Sequence, residues 1–376
     1  MLKLVMKINR TSFFLFFLFS ITNFLSMSVT GFEKYTGHGG PVKSLAISED
    51  EKFIVSTSFD YTAVIWKMPE VKEIARLVGH DGAVNVAAFS PNTEWLATAG
   101  DDNNIFLWSL LEDTQRKSQY SVHSVGSSHT AKIVSISFSS TGEELVSSSW
   151  DGSSIIWEVP EMEPKKIIRG HKGAINASDF AYLDRELITA GRDGQIKRWK
   201  TDTGEYLGSF VRNGWSINVM DINPETNLIA YGTSDGLMRV IDIESGDEKV
   251  RFFEEGVPIL SLSISNDSKR AAFGDARGKV LVADINNGAL LHDFAAAFGP
   301  VWGLAISNRD DEFIYISGLD DFFSRWELGE FSWQHYNENK KVRRFHVEDQ
   351  FDNGARQFAR KCSVCHTLVE DGKRRA

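Results

Sequence analysis

The sequence predicts an all-β fold, a seven-bladed propeller followed by a short helical segment, and three observations predict it. His38 precedes Trp66 by 28 residues, and the same interval separates His80 from Trp108, His129 from Trp157 and His171 from Trp199. An Asp six residues before a closing apolar position recurs at Asp60, Asp102, Asp151, Asp193, Asp235 and Asp320. The closing positions Trp66, Trp108, Trp157, Trp199, Ile241, Ala283 and Trp326 lie 42, 49, 42, 42, 42 and 43 residues apart, a period of one propeller blade.

The first 28 residues stand outside this period. Lys3, Lys7 and Arg10 make a basic start, Phe13 to Phe19 and Ile21 to Leu25 an apolar run broken by Ser20, Thr22 and Asn23, and Ser26-Met27-Ser28 a small-residue exit. That is the layout of a secretory signal peptide over residues 1–28, cleaved after Ser28. An uncleaved membrane anchor is the alternative, for which the run is short of the roughly 20 apolar residues a spanning helix needs. Either reading exports the rest of the chain, and a periplasmic location is expected.

The unit itself is clearest from Gly170 to Trp199. Alternating apolar runs at Ala174 to Phe180, at Leu187 to Ala190 and up to Trp199 read as strands, with Asp193-Gly194 as a hairpin turn. Seven such units run from Phe32 to Leu328. The 49-residue interval places an insertion in the polar stretch Leu110 to Ser128, and Arg277 with Ala283 marks a degraded copy. Phe32 to Thr36 precedes the first Gly-His without strands of its own, while the last unit ends at Trp326 one strand short. Pairing the two closes the ring and removes two open sheet edges.

Gly37-His38, Gly79-His80, Gly170-His171, the variant Ser128-His129 and the closing tryptophans resemble the WD40 family over residues 32–328. No unit keeps that family's Trp-Asp pair: Lys67, Ser109, Glu158, Lys200 and Glu327 follow the tryptophans. The resemblance implies a buried hydrogen-bonded set in each of four blades: His38, Ser56, Asp60 and Trp66; His80, Thr98, Asp102 and Trp108; His129, Ser147, Asp151 and Trp157; His171, Thr189, Asp193 and Trp199. Residues recurring once per blade are read as structural rather than catalytic. Blades five to seven lack the His and are expected to hold together on apolar contacts. Trp215 and Trp302 read as blade filling, with a place on one face of the central channel as the alternative.

Across 376 residues the formal net charge is −10, which argues against nucleic acid as partner of the main body. Two cysteines make no disulfide framework. No nucleophile-base-acid order, phosphate loop or paired-carboxylate spacing stands out beyond the blades, so no small-molecule substrate is inferred.

After a polar linker over residues 329–349, a new pattern begins. Phe351, Ala355, Phe358 and Ala359 recur at helical spacing, and Cys362-Ser363-Val364-Cys365-His366 follows. Cys-x-x-Cys-His is the attachment motif of c-type haem: Cys362 and Cys365 would form thioethers to the porphyrin, and His366 would be the axial iron ligand. A thioredoxin-like pair lacks its βαβ context, a zinc site lacks a fourth ligand, and a plain disulfide leaves His366 unexplained. Residues 350–376 resemble the start of a class I cytochrome c domain. That family takes a second axial ligand from a Met well downstream, and none follows before Ala376, so an incomplete cytochrome domain is expected. From Glu338 onward ten Lys/Arg stand against six Asp/Glu. A basic rim would steer toward an acidic redox partner; a solvated tail is the even alternative.

The expectation is therefore an exported c-type cytochrome, an electron carrier rather than a catalyst, with haem c on Cys362, Cys365 and His366 and the propeller as docking scaffold. The alternative is a non-enzymatic protein-interaction scaffold with a vestigial haem motif.

Overall fold

The computed structural model describes residues 32–110, 120–223, 226–307 and 313–328. The leader over residues 1–28, most of the insertion, the linker and the Cys362 to His366 motif lie outside the described residues.

A first strand, β1 (Phe32–Thr36), precedes seven units. Unit one holds β2 (Val42–Ile47), β3 (Phe53–Ser58), β4 (Thr62–Lys67) and β5 (Lys72–Val78). Unit two holds β6 (Val84–Phe89), β7 (Trp95–Gly100), β8 (Ile105–Ser109) and β9 (Val122–Gly126). Unit three holds β10 (Ile133–Phe138), β11 (Glu144–Ser149), β12 (Ser153–Glu158) and β13 (Glu163–Arg169). Unit four holds β14 (Ile175–Ala181), β15 (Glu186–Gly191), β16 (Gln195–Lys200) and β17 (Tyr206–Arg212). Unit five holds β18 (Ile217–Asn223), β19 (Leu228–Thr233), β20 (Leu237–Asp242) and β21 (Glu248–Phe253). Unit six holds β22 (Ile259–Ile264), β23 (Arg270–Asp275), β24 (Lys279–Asp284) and β25 (Leu290–Ala295). The last adds β26 (Val301–Ser307), β27 (Phe313–Gly318) and β28 (Phe322–Glu327).

Each of the first six units is one four-stranded sheet in chain order, and β1 completes the seventh in the order β1-β28-β27-β26. The seven innermost strands neighbour one another in a closed cycle, with β26 beside β2. The seam is apolar at its centre. Phe323 of β28 is fully buried, with its ring 5.2 Å from Tyr35 of β1 and 5.2 Å edge-on from Trp66 of β4. Ion pairing adds to it, because Arg325 meets Glu33 at 2.8 Å.

Burial explains the composition of each strand position. The second strand of a blade packs on both faces, so β3, β7, β11 and β15 are buried at every residue but the first. The outermost strand meets solvent, and β5 and β13 are accordingly charged and largely exposed. Turn chemistry sets the hairpins. At Gly236 φ is +100°, and a Cβ there would stand 1.9 Å from the Glu254 carbonyl oxygen, so only glycine fits.

Blades five to seven hold together on apolar clusters, as expected, and carry polar links as well. Thr233 donates to Asp235, Arg239 donates to the Tyr231 hydroxyl at 2.9 Å, Lys279 bridges Glu254 and Asp293, and Trp326 donates to Ser324 at 2.8 Å. The reason is that turns and indoles bring their polar groups with or without a histidine, and buried polar groups need partners. In blade six, where Arg277 replaces the turn Asp, Asp275 caps the turn from two residues earlier by accepting the Arg277 and Lys279 amides, each at 2.8 Å.

Candidate functional site

The four histidine sets are brought together with closely similar geometry. In blade one His38 Nδ1 lies 3.0 Å from Asp60, His38 Nε2 lies 2.8 Å from Ser56 Oγ, and Trp66 Nε1 donates to that oxygen at 2.8 Å. His80 lies 2.8 Å from both Asp102 and Thr98, with Trp108 donating to Thr98 at 2.9 Å. His129 lies 2.9 Å from Asp151 and 2.7 Å from Ser147, and Trp157 donates to Ser147 at 2.8 Å. His171, Asp193, Thr189 and Trp199 repeat the pattern at 2.8 Å throughout.

Proton placement follows from the acceptors. A carboxylate can only accept, so Nδ1 carries the proton; the neutral imidazole then accepts at Nε2 from the hydroxyl, which accepts from the indole. Burial would raise the Asp60 carboxyl, yet the electrostatic attraction and hydrogen bond of His38, with Thr62 and the Gly39 amide, bring it down to about 2. Asp151 is likewise brought down to about 2, against burial, by Ser153, the Thr130 amide and His129. Burial pushes His129 and His171 below the usual histidine range, against their Asp partners.

Hydroxyl, imidazole and carboxylate in this order have the connectivity of a nucleophile, base and orienting acid. Attack needs an approach path for the substrate, and full burial of the hydroxyls closes it. Ser56, Thr98, Ser147 and Thr189 are fully buried, and each oxygen already takes an indole proton. These sets hold the blades together, and among the described residues no three His, Cys, Asp or Glu converge as a metal-ligand group.

A ring of bulge residues lies at one end of the channel. In every blade the inner strand carries one residue more than its neighbour, immediately after its first position: Lys43, Asn85, Val134, Asn176, Asn218, Leu260 and Trp302. A bulge of this kind re-aims its side chain. Asn85, Asn176 and Asn218 use theirs to donate to the first inner-strand carbonyl of the next blade, Ile133, Ile217 and Ile259, at 3.0, 2.8 and 3.1 Å. Lys43 and Trp302 instead meet each other, the ammonium 4.6 Å from the indole centroid, with the Phe59 ring tilted 40° to the same indole at 5.5 Å. Lys132, just before β10, lies 3.7 Å over the ring of Trp150.

Of the two tryptophans read as filling, neither is buried among the blade cores. Trp302 occupies the bulge ring and Trp215 is 60% exposed. Lys43 and Lys132 went unread in the sequence. Their signal is the position of Lys43 one residue past the first apolar residue of each inner strand, which superposing the seven units on that residue isolates.

Two half-buried carboxylates lie between blades. Asp179 of β14 accepts the Ser137 hydroxyl at 2.6 Å, and Asp221 of β18 accepts the Ile264 amide at 2.8 Å. Burial, with the Asp221 charge and against the Ser137 hydrogen bond, raises Asp179 to about 7; burial raises Asp221 to about 6 against its amide donors.

Residues 31–67, 71–109, 120–158 and 162–200 match the family described as WD domain, G-beta repeat. No curated protein matches the chain.

Proposed function

On a seven-bladed ring that carries four WD40 repeats, we propose a non-enzymatic protein-interaction scaffold that acts outside the cytoplasm. One observation carries this reading. The groups with the connectivity of a catalytic relay are buried and mutually satisfied, whereas large aromatic surface is left at one end of the channel, with Trp150 47% and Trp215 60% exposed. Repeats of this family generally mediate protein contacts, and exposed tryptophans are the side chains that dominate binding energy where they are covered. The test is quantitative cross-linking of the full chain to the exported protein fraction, read by mass spectrometry. A partner cross-linked to the wild type and lost from Trp150→Ala/Trp215→Ala supports the scaffold; an identical cross-link pattern for both overturns it.

A second reading is favoured by Cys362-Ser363-Val364-Cys365-His366. Two thiols and an adjacent imidazole suit covalent haem c, Cys362 and Cys365 as thioether donors and His366 as axial ligand. Bound haem would supply one-electron transfer, and the propeller would then hold the redox partner. Haem staining after denaturing electrophoresis of protein made with cytochrome maturation machinery decides it: a stained band absent from Cys362→Ser/Cys365→Ser supports the carrier, and a colourless band overturns it.

A further inference from the structure

We infer that the channel mouth between blades one, three and seven is a docking site for an acidic peptide segment of a partner protein, gripped by Lys43 and Lys132 and flanked by Trp302 and Trp150. The inference rests on the scaffold reading and names the chemistry of what the scaffold holds.

All four side chains lie at the same end of the ring. Lys43 and Trp302 are bulge residues at the starts of the inner strands β2 and β26. Trp150 stands in the turn between β11 and β12, and its amide donates to the Lys132 carbonyl at 3.1 Å, which ties that turn to the entrance of β10. Phe59 occupies the matching turn of blade one, its amide bonded to the Pro41 carbonyl at 3.1 Å.

Neither ammonium is neutralised. Among the described residues Lys43 and Lys132 have no carboxylate within ion-pair distance, and what each touches is an aromatic face: Trp302 and Phe59 for Lys43, Trp150 for Lys132. An aromatic quadrupole contributes about 1 kcal/mol at an exposed site and leaves the three N–H donors of an ammonium free to take a carboxylate in place of water. Burial and the facing Lys132 charge lower Lys43 to about 8, with Asp101 pulling the other way. Asp101 is itself engaged by the Asn85 amide at 2.8 Å. Carboxylates of an acidic segment laid across the mouth would accept from these ammoniums and offset their repulsion, charge-assisted contacts stronger than neutral ones.

The size of the partner follows from the same geometry. The chain as a whole carries a net charge of −10, so an extended acidic surface would be repelled while a single acidic segment reaching into the mouth meets local positive charge. The aromatic flanks, 47% exposed at Trp150, give apolar area to the residues on either side of the carboxylates. A bare small anion would leave those flanks uncovered.

The probe is fluorescein-labelled hexaglutamate titrated into the full chain at low ionic strength and read by anisotropy, with hexalysine as control. Wild type should bind hexaglutamate and not hexalysine, the affinity should fall at least about tenfold in Lys43→Gln/Lys132→Gln, and Lys43→Glu/Lys132→Glu should exchange the preference. Lys132→Gln alone, half-buried on the rim, should lose part of the affinity and keeps the test decisive if the double variant unfolds. No binding by wild type, equal binding by the glutamine variants, or displacement by acetate at the same carboxylate concentration overturns the proposal, the last by making the site one for small anions. Failure here is separable from failure of the scaffold: a partner whose cross-link survives Lys43→Gln/Lys132→Gln leaves the scaffold standing and removes only this mouth.

Discussion

Tyr231 of β19 and Ile241 of β20 pack in one buried cluster, diagonally across the strand pair, at the two positions that Ser56 and Trp66 hold in blade one. Blade six repeats the exchange with Phe273 and Ala283. A small hydroxyl under a large indole has become a large ring under a small aliphatic group, so the volume is kept while the hydrogen bonds are not.

That reciprocity predicts a strong coupling. Tyr231→Thr should destabilise by about 2–4 kcal/mol through the cavity it leaves. Ile241→Trp should cost about 1–3 kcal/mol through overpacking. Together they should recover part of both losses, a coupling of about 1–3 kcal/mol in a double-mutant cycle read by urea unfolding. Additive losses would show that the two side chains do not share one volume.

Ser147 serves two neighbours at once, the His129 imidazole and the Trp157 indole, so Ser147→Ala should leave two buried polar nitrogens unpaired. A loss of about 2–4 kcal/mol is expected, larger than one neutral hydrogen bond contributes. Urea midpoints at pH 7 measure it, and a loss under about 1 kcal/mol would count against the shared acceptor.

Acid should attack the first four blades in a defined order. His129 and His171 are lowered in the folded chain, so the unfolded chain takes up their protons first and stability begins to fall as the pH drops below about 6.5. Asp60 and Asp151, depressed to about 2, contribute stability that is full above the ordinary carboxylate range and lost as the pH falls through about 2. Asp60→Asn should therefore flatten the slope of stability against pH between about 4 and 2, as followed by circular dichroism.

Asp179 has the opposite sign. Its folded value is raised to about 7, so its contribution is fully present below the ordinary carboxylate range and is lost as the pH rises through about 7. Asp179→Asn keeps an acceptor for the Ser137 hydroxyl and removes the charge. The variant should melt several degrees higher than wild type at pH 8, an advantage that shrinks at pH 5.

At the seam, Phe323→Ala should cost about 3–5 kcal/mol, because the ring is shared by Tyr35, Trp66 and Tyr315. Hydrogen exchange should rise in β1 and β28 ahead of the other blades.

The spacing of His38, Asp60 and Trp66, repeated three times more, makes the ring legible in the sequence, because a buried polar set tolerates few substitutes and so marks every copy in which it survives. Strand pairing of Phe32 to Thr36 with the last unit was legible for a different reason: an odd strand at each end is an edge that must be covered. The substitution of Tyr231 for a hydroxyl was not, since it looks like the loss of a motif until the facing Ile241 is seen to have shrunk. Nor was the placing of Lys43 and Lys132 at the same mouth, near enough for the charge of one to bear on the other. They are far apart in the chain, and ring closure with a bulge in each blade brings them to one opening, neither of which a local pattern records.

The partner of β1 is made last. During synthesis the earliest strand emerges hundreds of residues ahead of β28, and until then its backbone amides have to be shielded by a chaperone or by the nascent chain. Any proteolysis that removed Phe32 to Thr36 would leave β28 as an open edge on a ring that had otherwise finished folding.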